Sequence, residues 1–193
     1  MENIEILYDH YKESNQLSQN AQKQRSRYFC GICILEIINI VFLLYPSETI
    51  DLITKWLDKK YSIVFPPTVL IIQGILWLFI IYFTVLYFQK NIYIERQYKY
   101  LSELEIEISK KINLECFCRE GKNYNENYPL VLTVIDRFYK WGIPITIIII
   151  NTIKIIFEYI KMSNLLITLF DTLCYIFVLV LTILYIKKIN FET

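Results

Sequence analysis

Hydrophobic residues run almost unbroken through four stretches, at residues 28–45, 67–88, 142–160 and 164–186. Each is about the length a helix needs to cross a hydrocarbon core of about 30 Å. Helices satisfy every backbone N–H and C=O within the segment, which lipid demands. The pattern therefore predicts an all-α membrane protein with four transmembrane helices and helical extensions. Residues 1–27 form an N-terminal helical arm, and 46–66 form an external loop. Residues 89–141 hold a helix, a polar turn and an interfacial helix, and 187–193 form a tail.

Between the apolar runs the periodicity is helical. Ile4, Leu7, Tyr8 and Tyr11 fall on one face of the arm. In the loop, Ser47 is placed to cap a short helix, with Glu48 and Asp51 in its first turn and Lys59 and Lys60 at its end. Ile50, Ile53, Trp56 and Leu57 give that helix an apolar face suited to a membrane surface. No Gly or Pro interrupts the chain between Ile75 and Gly121, so the second span continues as a long helix. Tyr98, Leu101, Leu104, Ile108 and Ile112 form a stripe along it that needs a partner. The N-terminal arm and a second copy are the two choices. Gly142 and Pro144 mark a bend into the third span.

Charge sets the expected orientation. Of the 20 Lys and Arg, 15 lie in the arm, the central segment and the tail. The positive-inside rule places those segments, and both termini, in the cytoplasm. The first apolar run begins only at Tyr28 and no small-residue cleavage site follows it, so the first span is expected to be an uncleaved anchor. The expected location is the bacterial inner membrane.

Polar residues inside spans are costly and informative. Lys154 and Asp171 lie equally far from a tight turn near Met162 and Ser163, each about 12 Å away along its helix. They are expected to pair, either locking the hairpin or lining a wet path. Asn39 and Gln73 lie at similar depth in the spans that the external loop joins, so they are expected to hydrogen-bond. Glu36 falls near the middle of the first span, with Asn151 as its possible partner.

Chemistry motifs are missing. His10 is the single histidine, there are four glycines, and there is no nucleotide-binding glycine loop, HExxH or Gly-x-Ser-x-Gly. No catalytic residue, cofactor, metal site or direct nucleic-acid contact is expected. Cys30-x-x-Cys33 reads as buried thiols, and Cys116-x-Cys118 as part of a plain loop.

The basic, Tyr-containing approach to the first span at residues 23–44 is one distinctive stretch. The run Tyr93-Ile94-Glu95-Arg96-Gln97-Tyr98 through Leu101 and Leu104 is another. It continues to Arg119-Glu120-Gly121-Lys122 and Tyr128-Pro129. Together they resemble small four-pass bacterial membrane proteins of the anti-phage defence type. Two-span nucleotide-signalled effectors and CRISPR-accessory membrane proteins have similar layouts. The resemblance is clearest over residues 90–130 and implies a membrane-perturbing or regulatory role. The chain departs from the two-span effectors in having four spans and no appended sensor domain.

Two functional expectations follow. One is an oligomeric, pore-like effector in which the polar span residues act. The other is a non-conducting scaffold or accessory subunit that docks a soluble cytosolic partner. Its interface would be built from Tyr98, Leu101, Leu104, Ile108 and Ile112 with Arg119, Glu120, Gly121, Tyr128 and Pro129. A small transporter is a weaker third, since no inverted repeat or broken helix is visible.

Overall fold

The computed structural model describes residues 2–61, 69–112, 130–161 and 165–192. Helix α1 spans Glu2–Leu44, α2 Pro46–Tyr61 and α3 Val69–Ile112. Helix α4 spans Leu130–Arg137 and passes through a π-helical turn, Phe138–Gly142, into α5, Ile143–Lys161. Helix α6 spans Leu165–Glu192. No strand occurs among the described residues. Four helical stretches are long and apolar enough to cross a membrane: Ile4–Leu44, Ile71–Ile112, Leu130–Lys161 and Leu165–Asn190. Cys116, Cys118, Arg119, Glu120, Gly121, Tyr128 and Pro129, and the turn at Met162 and Ser163, lie outside the described residues.

Two local expectations need correction. Ser47 is not the cap of α2. Pro46 is already helical, and the Thr49 N–H donates to the Tyr45 carbonyl at 3.0 Å. Proline suits this first position because its missing N–H would have no helical acceptor there. At Gly142 and Pro144, where a bend into the third span is expected, the chain stays helical. It widens by a π turn and continues, with Pro144 in the first turn of α5, where proline is tolerated. A Cβ on Gly142 would stand 2.7 Å from the Phe138 ring, so a side chain here would push that exposed ring aside. Cys30, expected to be buried, is exposed, and Cys33 is half-buried; both are free thiols.

The chain divides into two compact units. An apolar unit comprises Tyr28–Leu86 and Ile145–Ile183. An extension unit comprises Met1–Arg27, Tyr87–Pro144 and Leu184–Thr193.

In the extension unit, α1 and α3 pair antiparallel. His10 meets the Tyr100 hydroxyl at 2.6 Å, Tyr11 donates to Glu105 at 2.8 Å, and Gln22 donates to Tyr98 at 2.9 Å. Leu101, Leu104 and Ile108 are buried in one cluster with Tyr11, flanked by Leu7. So the stripe on α3 is covered by the arm of the same chain. The covering face, however, is Leu7, Tyr11, Ser14, Ser18 and Ala21, while Tyr8 stands outside, 49% exposed. Small residues at Ser14, Ser18 and Ala21 let α1 approach α3 closely. Ile112, at 36% exposure, lies at the edge of the stripe, and Tyr98 is half-buried.

The same unit holds a polar knot around the π turn. The Tyr87 hydroxyl and the Asn91 amide both donate to the Tyr139 carbonyl. Arg25 donates to Asn91 at 3.3 Å and lies 4.0 Å above the Tyr139 ring. Tyr185 donates to the Lys140 carbonyl, accepts from Asn91, and stacks on Phe88. These are the donors expected where a widened turn leaves carbonyls unpaired. Lys140 bridges Glu95 at 2.9 Å and Asp136 at 2.8 Å. Burial pushes the Glu95 carboxyl up. Burial alone would lower Lys140, but its bonds to Asp136 and Glu95 carry it above its ordinary value.

Candidate functional site: a buried polar cluster

The apolar unit is inside-out relative to a water-soluble bundle. The apolar stretches of α1, α3, α5 and α6 turn aliphatic side chains outward: Ile34, Ile37 and Val41 on α1, Leu78 on α3, Ile149, Ile153 and Ile156 on α5, and Leu173 and Ile176 on α6 are all exposed. The interior of the unit is polar. Glu36, Asn39, Gln73, Asn151, Lys154, Glu158 and Asp171 are all buried, none above 7% exposure. Helical spacing gathers them. Asn151, Lys154 and Glu158 step by three and four along α5, which keeps them on one face. Glu36 and Asn39 do the same on α1, and Gln73 and Trp77 on α3.

Two linked groups of contacts result. In the first, Asn151 donates to Glu36 at 2.7 Å and to the Ile147 carbonyl at 2.9 Å. Asn39, three residues along α1, and Lys154 both lie near enough to act on the same carboxyl. In the second group, the Lys154 ammonium meets Asp171 at 2.6 Å and Glu158 at 3.3 Å. Its Nζ stands 4.7 Å from the Trp77 ring centroid. The Gln73 amide nitrogen donates to both Glu158 and Asp171. Both carboxyls thus converge on one ammonium and one amide.

Lys154 and Asp171, placed at one depth by counting from the turn, are in direct contact. Glu36 and Asn151 meet as their positions allow. Asn39 and Gln73 part company, because Gln73 turns its amide to Glu158 on α5 and Asp171 on α6. Equal depth does not fix the direction in which a side chain leaves its helix. Glu158 and Trp77 were not foreseen. The signal for Glu158 was the four-residue step from Lys154; for Trp77 it was the four-residue step from Gln73.

The cluster is rich in acceptors. Glu36 Oε2, Asn39 Oδ1, Asn151 Oδ1, Glu158 Oε2 and Asp171 Oδ1 have no hydrogen-bond donor among the described residues. Three carboxyls face one ammonium. A charge left alone at mid-bilayer costs about 2.5–3.5 kcal/mol on insertion scales, which makes this cluster costly unless its members compensate one another. Among the described residues no group of three or more His, Cys, Asp or Glu side chains is arranged to hold a metal ion. What the arrangement can do is bind hydrogen-bond donors or protons, and tie α1, α3, α5 and α6 together within the unit.

A polar interior under an aliphatic surface, carried on four helices of membrane-crossing length, defines the class: a helical multi-pass membrane protein. No family model, curated protein or solved structure matches the chain.

Proposed function

We propose that the chain is a non-conducting membrane scaffold or accessory subunit. It sits in the bacterial inner membrane with both termini cytoplasmic, and its helical extension docks a soluble partner. One observation carries the reading. Every ionisable side chain of the cluster, Glu36 included, is buried within a single chain, and the outward faces of the spans are apolar. A pore built from several copies needs polar groups on the faces that the copies share, and these faces have aliphatic residues instead. The orientation rests on the 15 Lys and Arg in the arm, central segment and tail. The anti-phage setting rests on the resemblance alone.

The dock cannot be the Leu101–Leu104–Ile108 stripe, which the arm occupies. The open apolar positions on the extension of α3 are Ile106 at 46% and Ile112 at 36% exposure. Ile106→Glu with Ile112→Glu should abolish co-purification of a soluble protein from cells while leaving the fold intact. Full-length protein in planar bilayers should conduct no ions. Steady conductance that changes in Glu36→Gln would replace this reading with the pore-like effector.

A further inference from the structure

We infer that the buried cluster is a proton-binding site: Glu158 and Asp171 hold one proton between them, and Glu36 holds a second. The inference concerns the interior of the apolar unit and does not depend on whether the protein docks a partner.

The first argument is charge. The groups facing Glu158 and Asp171 are Lys154 on α5, Gln73 and Trp77 on α3, and Cys174 on α6. Glu36 on α1 faces Cys33, Asn39, Asn151 and, at longer range, Lys154. Lys154 is the single cation in this set. It balances one carboxylate and leaves two, buried among the helices of the apolar unit.

The second argument is geometric. The Lys154 ammonium and the Gln73 amide both bridge Glu158 and Asp171. Each carboxyl keeps one oxygen without a donor among the described residues, Glu158 Oε2 and Asp171 Oδ1. Two carboxyls held on the same ammonium and the same amide form an arrangement suited to sharing a single proton, because two like charges on common donors repel. Glu36 is similar. Asn151 fills Oε1 and no donor among the described residues meets Oε2, an oxygen free to carry a carboxylic acid's hydrogen.

Loaded, the site is neutral overall and holds the four helices by hydrogen bonds. Unloading it leaves uncompensated negative charge inside the bundle, which must then admit water, take up a cation or open. The proton enters from water and leaves to water, with no other reactant.

The test is infrared difference spectroscopy on the full-length protein in lipid nanodiscs. At neutral pH the wild-type spectrum should contain carbonyl bands of protonated carboxylic acids that shift in deuterium oxide. Labelling with ¹³C-glutamate should shift those bands without any substitution, and Glu36→Gln and Glu158→Gln should each remove part of the intensity. Raising the pH should remove the rest. Absence of such bands in the wild-type protein at neutral pH would overturn the inference. So would bands that ignore glutamate labelling. Bands that vanish when sodium replaces choline at constant pH would instead identify the site as one for a small monovalent cation.

Discussion

The apolar unit and the extension unit use the same two helices, α1 and α3, in opposite ways. Along α1, buried positions recur every three or four residues in both units. In the extension they are Tyr11, Ser14, Ser18 and Ala21; in the apolar unit they include Ile32, Glu36 and Asn39. Along α3 the extension buries Leu101, Leu104 and Ile108, whereas the apolar unit buries Gln73 and Thr84 beside Trp77 and Ile80. The rhythm is constant and the chemistry is partly inverted. In the extension, charged residues such as Lys12, Glu103, Glu107 and Lys110 face outward; in the apolar unit, isoleucines and leucines do. Helix geometry fixes which positions face inward, and the surrounding medium fixes what is stable there.

The comparison can be broken most strongly at Lys154. Lys154→Leu leaves Asp171 and Glu158 buried without their cation and should cost about 3–5 kcal/mol, read as loss of stability in detergent unfolding titrations. Adding Asp171→Leu should recover most of that loss, because removing a whole buried pair is far milder than removing half of one. In the extension the matching test is Leu101→Ala, which opens a hole against Tyr11 and should cost about 2–5 kcal/mol. It should also speed hydrogen exchange in the first turns of α1 while leaving Glu36 and Asn39 protected. Equal exchange in both units would show that they unfold as one.

Smaller effects sharpen the contrast. A Cβ on Gly31 would stand 2.8 Å from the Phe83 ring, so Gly31→Ala should cost about 1–3 kcal/mol through overpacking, visible as a lowered Tm. Asn151→Leu removes the donor to Glu36 and should cost about 0.6–1.7 kcal/mol, the range for hydrogen bonds between membrane helices. Smallest of all is Lys55→Ala on α2. Its partner Asp51 is 2.6 Å away, but both side chains are more than half exposed, and such helical pairs contribute about 0.3–0.5 kcal/mol. A large effect there would mean that α2 packs against something.

Much of this was legible in the residues. Uninterrupted apolar runs marked the spans, and the absence of Gly and Pro marked the length of α3. Counting from the α5–α6 turn brought Lys154 to Asp171, because a short turn leaves one depth available to antiparallel neighbours. The same counting misassigned Gln73, since depth is one coordinate and the facing direction is another. The α1 seam was half seen. Large apolar residues advertise a face, whereas Ser14, Ser18 and Ala21 mark it only by being small, and small residues look like ordinary surface until the partner helix is in place. The π turn gave no advance sign beyond Gly142, because its donors, Tyr87, Asn91 and Tyr185, come from helices remote in sequence.

The position of Trp77 has one more consequence. An indole packed under the Lys154 ammonium is a natural optical probe of the chain's interior. With Trp56 and Trp141 changed to phenylalanine, the remaining fluorescence arises from a single chromophore beside the only buried cation of the cluster. Its intensity and colour then follow any movement of that ammonium in real time, in intact membranes and without an added dye.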